Sequence, residues 1–225
     1  MRFEDERLLW WVDGVYSPEE CAALVARIEA DAPTLATNNP IYRDQDRVMR
    51  DDPAFAHELF DRLRPHLPER MGELRLLRLN ERLRFYRYRA GQRFSPHMDH
   101  WYRPSDDEIT LHTVLVYFNE GFEGGETRFQ EQVEETVVPR AGRVAIFQHK
   151  VRHEGCEVTR GTNTRCGPTW CTGDSGRGQR HSVRATGHVG ASRGKVRAEG
   201  AGTRGALWRD AEGRARRPSL TRGTN

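Results

Sequence analysis

The chain has 225 residues, of which 36% are hydrophobic and 31% charged, and no apolar run approaches the roughly 18 residues that a membrane span needs. Its start, MRFEDERLLWWVDG, carries acids where a secretory signal would carry a basic and then a long apolar segment, so a cytoplasmic, membrane-free protein is expected. The net charge of +3 hides a split: residues 163–225 hold 13 Lys+Arg against 4 Asp+Glu, while residues 1–162 hold 23 against 29.

The first element predicted is a helix. Ser17-Pro18-Glu19-Glu20 combines an N-cap serine, a proline at the first helical position and a glutamate at the third, and Cys21, Leu24, Val25 and Ile28 follow at helical spacing up to Pro33. A second start at Asp52-Pro53 precedes Phe55, Leu59 and Leu63, one face of a helix that Pro65 should stop. The intervening TNNPIYRDQDRVMR has no period and is expected to be a loop or lid. Residues 1–75 are thus predicted to be a helical support region.

From about Leu76 the period changes to two. Leu83 and Phe85 take one face of a strand, Arg84, Tyr86 and Tyr88 the other, and Ala90-Gly91-Gln92 ends it. LHTVLVYFN (111–119) is apolar on both faces, as an inner strand is, and Glu123-Gly124-Gly125 supplies a turn. Pro139-Arg140-Ala141-Gly142 makes another turn into Val144–Phe147. Short strands with such punctuation predict an α+β, mainly β architecture: a jelly-roll core over 76–162, buttressed by the N-terminal helices.

The candidate site lies at strand ends. His97-Met98-Asp99 places an imidazole and a carboxylate on one side of an extended segment, and His153, beyond the strand that ends at Phe147, supplies a third donor. Two histidines and a carboxylate leave three positions of an octahedral ion open, the arrangement suited to iron(II) holding a bidentate oxoacid and dioxygen; zinc favours a closed tetrahedron. Cys21, Cys156, Cys166 and Cys171 form no CxxC pair and indicate neither a disulfide framework nor a structural zinc site. His100, His112 and His149 are spare, with His149 placed as an outer group to the ligands.

RFYRYRAGQRFSPHMDHW, TVLVYFNEGFEGGETRF and VPRAGRVAIFQHKVRHEGCEVTRGT resemble, in order, the tyrosine, HxD, central hairpin and last ligand strand of the prolyl 4-hydroxylase-type 2-oxoglutarate/iron(II) oxygenases. The resemblance covers residues 76–162 and, weakly, the helical N-terminus. It implies a double-stranded β-helix core, iron(II) on His97, Asp99 and His153, 2-oxoglutarate contacted by Tyr88, Tyr117 and Thr127, and ascorbate as a reductant. The activity implied is hydroxylation of a prolyl, peptidyl or small-molecule substrate by dioxygen, with release of succinate and CO2. Two other readings stay open: a jelly-roll protein that holds metal without turnover, and a nucleic-acid-binding protein gripping phosphates with its basic tail, although specific nucleic-acid binding is not expected.

Residues 163–225 hold 12 of the 21 glycines and no Phe, Tyr, Ile or Met, which predicts a disordered tail. The family continues past Gly161-Thr162 with a lysine and a pattern like LRTDVxY, whereas this chain reads NTRCGPTWC. Inserting one G into a back-translation at the Asn163 codon yields TKHALRTDVVY, so a single-base deletion is inferred and 163–225 is read as out of frame. In the family, the lysine ten residues after the last histidine anchors the far carboxylate of 2-oxoglutarate. Asn163 stands there, and Arg165 lies in a segment not expected to form the strand, so weak co-substrate binding is expected.

Overall fold

The computed structural model describes residues 7–37, 39–71, 73–167 and 169–174, together with a short strand pair at 208–209 and 215–216. By their contacts residues 1–180 form one unit and 181–225 another. The predicted disorder beyond 174 falls almost wholly outside the described residues.

A short strand, β1 (Leu9–Val12), precedes α1 (Pro18–Ala30), and α1 starts as the sequence predicts. Ser17 Oγ accepts from Glu20 N at 3.2 Å, and the Glu20 carboxylate accepts from Ser17 N at 2.8 Å, so two orphan amides of the first turn are satisfied reciprocally. Glu20 also receives Arg62 from the second helix at 2.6 Å, and this contact, with the Ser17 amide, holds its carboxyl at about 2, below its usual 4.5. The folded value is depressed, so the ionised pair stabilises the protein above the unfolded glutamate range and stops doing so as pH falls towards 2. The stability difference between wild type and Glu20→Gln should therefore shrink steadily in an acid titration between about pH 5 and 2. A difference constant over that range would show that the pair does not couple folding to protons.

Next come β2 (Thr34–Leu35), β3 (Asp46–Asp51) and α2 (Pro53–Leu63), the last capped by the Asp52 side chain accepting from Phe55 N. Phe55, Ala56, Leu59 and Leu63 are buried on the α2 face predicted to be apolar, and with Cys21 and Ile28 of α1 they pack in one core with Leu83 and Phe85. The predicted loop is corrected here: residues 46–51 are a strand. Its polar sequence conceals this because its partners are ionic and aromatic, Asp46 pairing with Arg87 at 2.8 Å and Arg50 lying over the Phe85 ring. The predicted helical support region is likewise corrected, since strands are interleaved with its two helices and β1 and β3 pair directly with strands of the core.

β4 (Arg70–Met71), β5 (Leu74–Leu79), β6 (Arg82–Arg89), β7 (Phe94–His97) and β8 (Glu108–Tyr117) follow, then β9 (Glu123–Gly124), β10 (Thr127–Gln130) and β11 (Glu135–Val137). The chain continues through β12 (Val144–Gln148), β13 (Arg152–Gly155), β14 (Val158–Arg160), β15 (Thr162–Cys166) and β16 (Thr169–Asp174). The larger sheet runs β2-β3-β6-β15-β8-β16-β5-β4, with β12 on the other edge of β8 and β1 outside it; the smaller runs β11-β10-β13-β7. β8 is the inner strand its two apolar faces predict, flanked by β12 on one edge and by β15 and β16 on the other. Between β9 and β10 the predicted Gly124-Gly125 turn has positive φ at both residues, and a Cβ on Gly124 would lie 2.1 Å from Glu157 O.

The largest correction concerns residues 163–174. They were expected to be disordered, yet β15 and β16 occupy central positions in the larger sheet, with Asn163, Thr164, Arg165, Cys166, Cys171 and Thr172 buried. Composition averaged over 63 residues concealed ten that lie in strands. Small, polar or cysteine side chains fit a sheet flanked on both edges, where hydrogen bonds to neighbours satisfy the backbone whatever the side chains.

Candidate metal centre and its cavity

The antiparallel register of β13 and β7 sets His153 directly opposite His97, with ring centroids 4.3 Å apart. Asp99 follows β7 by two residues and turns its carboxylate towards both: Oδ1 lies 3.8 Å from His97 Nε2 and Oδ2 lies 3.9 Å from His153 Nε2. All three donor atoms lie within 4.8 Å of one another, the only such group of three or more among the described residues. The three predicted ligands therefore converge.

Their surroundings suit metal binding. His97 Nδ1 lies 2.8 Å from Ser95 O and His153 Nδ1 lies 3.0 Å from Val151 O; a carbonyl only accepts, so Nδ1 carries the proton and each Nε2 presents a lone pair. Burial holds His97 near 4 and His153 below its usual value, so both rings are neutral at physiological pH. Burial acts against the ionised Asp99, but the nearby imidazoles and a hydrogen bond from Thr113 Oγ1 outweigh it, and the carboxyl stays below its usual range. Phe94 stacks on His97 at 3.7 Å and Phe147 meets His153 edge-on at 4.5 Å, fixing both ring planes. The set is two neutral imidazoles and a carboxylate on a cavity wall, which fits a six-coordinate iron(II) with open positions.

The cavity has a volume of about 520 Å3 and lies between the two sheets. Tyr88 and Thr127 line it as predicted. Tyr117 differs: it is fully buried in the core, and its hydroxyl reaches the cavity wall only by donating to Thr127 Oγ1 at 2.6 Å. Arg165, 3% exposed, projects from β15 into the same end, its guanidinium 4.0 Å above the Tyr88 ring and donating to Thr127 Oγ1 at 3.1 Å. A Cβ on Gly155 would sit 2.5 Å from Arg165 Nη2, so glycine there makes room for the guanidinium. Asn163 shares that face of β15 but donates to Gly125 O at 3.0 Å. A cation is thus present where its loss had been expected.

The profile of the 2OG-Fe(II) oxygenase superfamily matches residues 83–170, a span that contains all three convergent side chains and Arg165. This segment is a 2OG-Fe(II) oxygenase domain. The oxygenase domain is that of an iron(II)- and 2-oxoglutarate-dependent dioxygenase, and its fold is shared by prolyl hydroxylases. The 2OG complex of the viral collagen prolyl hydroxylase of Paramecium Bursaria Chlorella virus-1 superposes with a TM-score of 0.57 at 23% identity, over 75% of this chain and 98% of that one. A Pseudomonas putida prolyl-4-hydroxylase gives 0.56 at 22% identity, over 72% and 92%. The Trichoplax adhaerens prolyl hydroxylase in complex with a hypoxia inducible factor peptide fragment gives 0.56 at 15%, over 74% and 84%. No curated protein matches the chain.

Several groups around this oxygenase centre escape sequence reading. Thr113 was visible only as part of an apolar strand, and its contact with Asp99 spans 14 residues. Arg84 shares the alternating face of Tyr86 and Tyr88, a usable signal; Arg43 and Arg47, which also line the cavity, sit in the stretch without period. His149 is buried, and its main-chain carbonyl accepts from Asp99 N at 3.0 Å. All four cysteines are free, and no described helix is long and apolar enough to cross a membrane.

Proposed function

We propose that the protein hydroxylates a prolyl, peptidyl or small-molecule substrate, with His97, Asp99 and His153 holding iron(II) and 2-oxoglutarate lying between that centre and Arg165. The observation that carries this reading is the convergence of the three donors in a cavity that also holds a buried guanidinium. When bound, iron(II) supplies the oxygen activation that couples decarboxylation of 2-oxoglutarate to succinate and CO2 with hydroxylation. The chain's own groups bind and orient. Ser95 and Val151 carbonyls fix the histidine tautomers, and Thr113 steadies Asp99. Arg165 and Thr127 present N–H and O–H groups to the far carboxylate, while the Tyr88 ring beneath the guanidinium keeps water from it. Ascorbate as reductant and a cytoplasmic location belong to the same proposal. So does the single-base deletion, which the nucleotide sequence across the Asn163 codon decides; the strands at 162–174 form without the restored frame.

Asp99→Ala is expected to remove iron-dependent succinate formation, falling by about two decades or more, while the melting temperature of the metal-free protein changes little, because Asp99 contributes a ligand and one hydrogen bond rather than packing. Succinate formation equal to wild type would overturn the assignment.

A further inference from the structure

The arginines of this chain fall into two groups. Outside the cavity, each buried or half-buried arginine among the described residues has a carboxylate: Arg50 with Asp31, Arg62 with Glu20, Arg78 with Glu108, Arg87 with Asp46, Arg143 with Asp13 and Arg152 with Glu131. Four are without one, and all four line the cavity: Arg43, Arg47, Arg84 and Arg165. Asp99, committed to the metal centre, is the only carboxylate on that wall. Arg165 is accounted for by the co-substrate. Three guanidinium groups are left over.

They are near one another and near the chemistry. Burial and the charges of Arg43 and Arg84 push Arg47 below its usual value, and Arg43 bears on His97 through a stack, its guanidinium 4.3 Å over Phe94 and Phe94 on His97. Arg43 Nε and Nη2 are buried without a hydrogen-bond partner, and Arg47 is held by neutral groups alone, donating to Ala36 O at 3.2 Å and meeting the Tyr86 hydroxyl. Like charges gathered in a partly dry space repel, and a folded chain tolerates this where an anion arrives to offset it. The exposed rim is apolar: Tyr42, Met98 and Tyr102, which line the cavity, are 40%, 49% and 57% exposed, and Ile41 and Trp101, next to them in the chain, are 83% and 63% exposed. A small acid would leave that rim uncovered. A polypeptide would cover it.

We infer that the prime substrate is an acidic peptide segment, its carboxylate side chains received by Arg43, Arg47 and Arg84 and its flanks lying on the rim formed by residues 41–42 and 98–102. This rests on the hydroxylase reading for the word substrate, but the binding itself does not depend on turnover. Charge complementarity of this kind gives selectivity and a faster encounter, both weakened by salt.

The test uses nine-residue fluorescein-labelled peptides centred on proline and flanked by Asp and Glu, by Asn and Gln, or by Lys, titrated by anisotropy into the full iron(II)-loaded chain with saturating 2-oxoglutarate under argon. The acidic peptide should bind at least roughly tenfold more tightly than its amide counterpart, and the lysine peptide should not bind. Arg43→Gln and Arg84→Gln should each reduce the acidic preference by roughly tenfold while the melting temperature stays level or rises, whereas Arg84→Lys should keep part of the preference. A merely structural arginine would instead lower the melting temperature and leave the preference intact. Equal affinity for the acidic and amide peptides, or N-acetylglutamate binding as tightly as the acidic peptide, overturns the inference. Succinate release measured in air separates the two claims: acidic peptides that bind and are never hydroxylated sink the hydroxylase reading alone, and turnover indifferent to peptide charge sinks this one alone.

Discussion

Ending the chain after Gly161 is expected to leave no cooperatively folded domain. β15 lies between β6 and β8, and β16 lies between β8 and β5, so removing both divides the larger sheet into separate pieces and strips one edge of β8. The exposed amides and carbonyls lose partners, and the contacts of Cys166, Cys171 and Thr172, all fully buried, disappear with them. The loss exceeds the about 5–15 kcal/mol that typically separates a domain from its unfolded state. Ending the chain after Arg180, the last residue of the first unit, should by contrast preserve a cooperative melt. Circular dichroism melts and gel filtration of the two truncations distinguish these outcomes. A sharp transition in the shorter protein would mean that the sheet closes without its two last strands.

Replacing Arg165 by alanine is expected to weaken 2-oxoglutarate binding by roughly two to three and a half decades, the equivalent of the about 3–5 kcal/mol lost when one partner of a buried charge pair is removed. The guanidinium is 3% exposed and has no carboxylate partner among the described residues, so under the proposed function the dianion would be its counter-charge. Arg165→Lys should recover part of the affinity, because an ammonium keeps the charge but loses the planar fork and the stacking on Tyr88. Calorimetric titration of 2-oxoglutarate into iron-loaded protein under argon measures both. An unchanged dissociation constant for the alanine variant would take Arg165 out of the site and return attention to position 163.

How much of this was legible depended on whether a residue's job was local. Ser17, Glu20, Asp52 and Pro53 announce helices because a cap acts within three or four residues. His97 and Asp99 are legible for the same reason, one period of a strand apart, and β8 shows its position by being apolar on both faces. β3 was not legible, since its partners are Arg87 and Phe85 some forty residues on and its own alternation is polar. Thr113 and Arg165 act across the space between distant strands, and only the pairing of β15 with β6 brings the guanidinium to Tyr88. The misreading of 163–174 had a different cause: composition describes an average, and two strands at the head of a glycine- and arginine-rich segment vanish in it.

The metal-binding set and the arginines that face it are built on different pieces of the chain. His97, Asp99 and His153 depend on the register of β7 with β13, whereas Arg43 and Arg47 come from residues 39–51 and Arg84 from β6. The two meet at one seam: Tyr42 O accepts from Ser95 N, the Tyr42 ring touches His97, and Arg43 lies on the Phe94 ring that stacks on His97. A change confined to Arg47 or Arg84 therefore alters the charge that an incoming partner meets, whereas one that reaches residues 42–43 also disturbs the support of His97, so drift towards a new partner has an open route and a closed one.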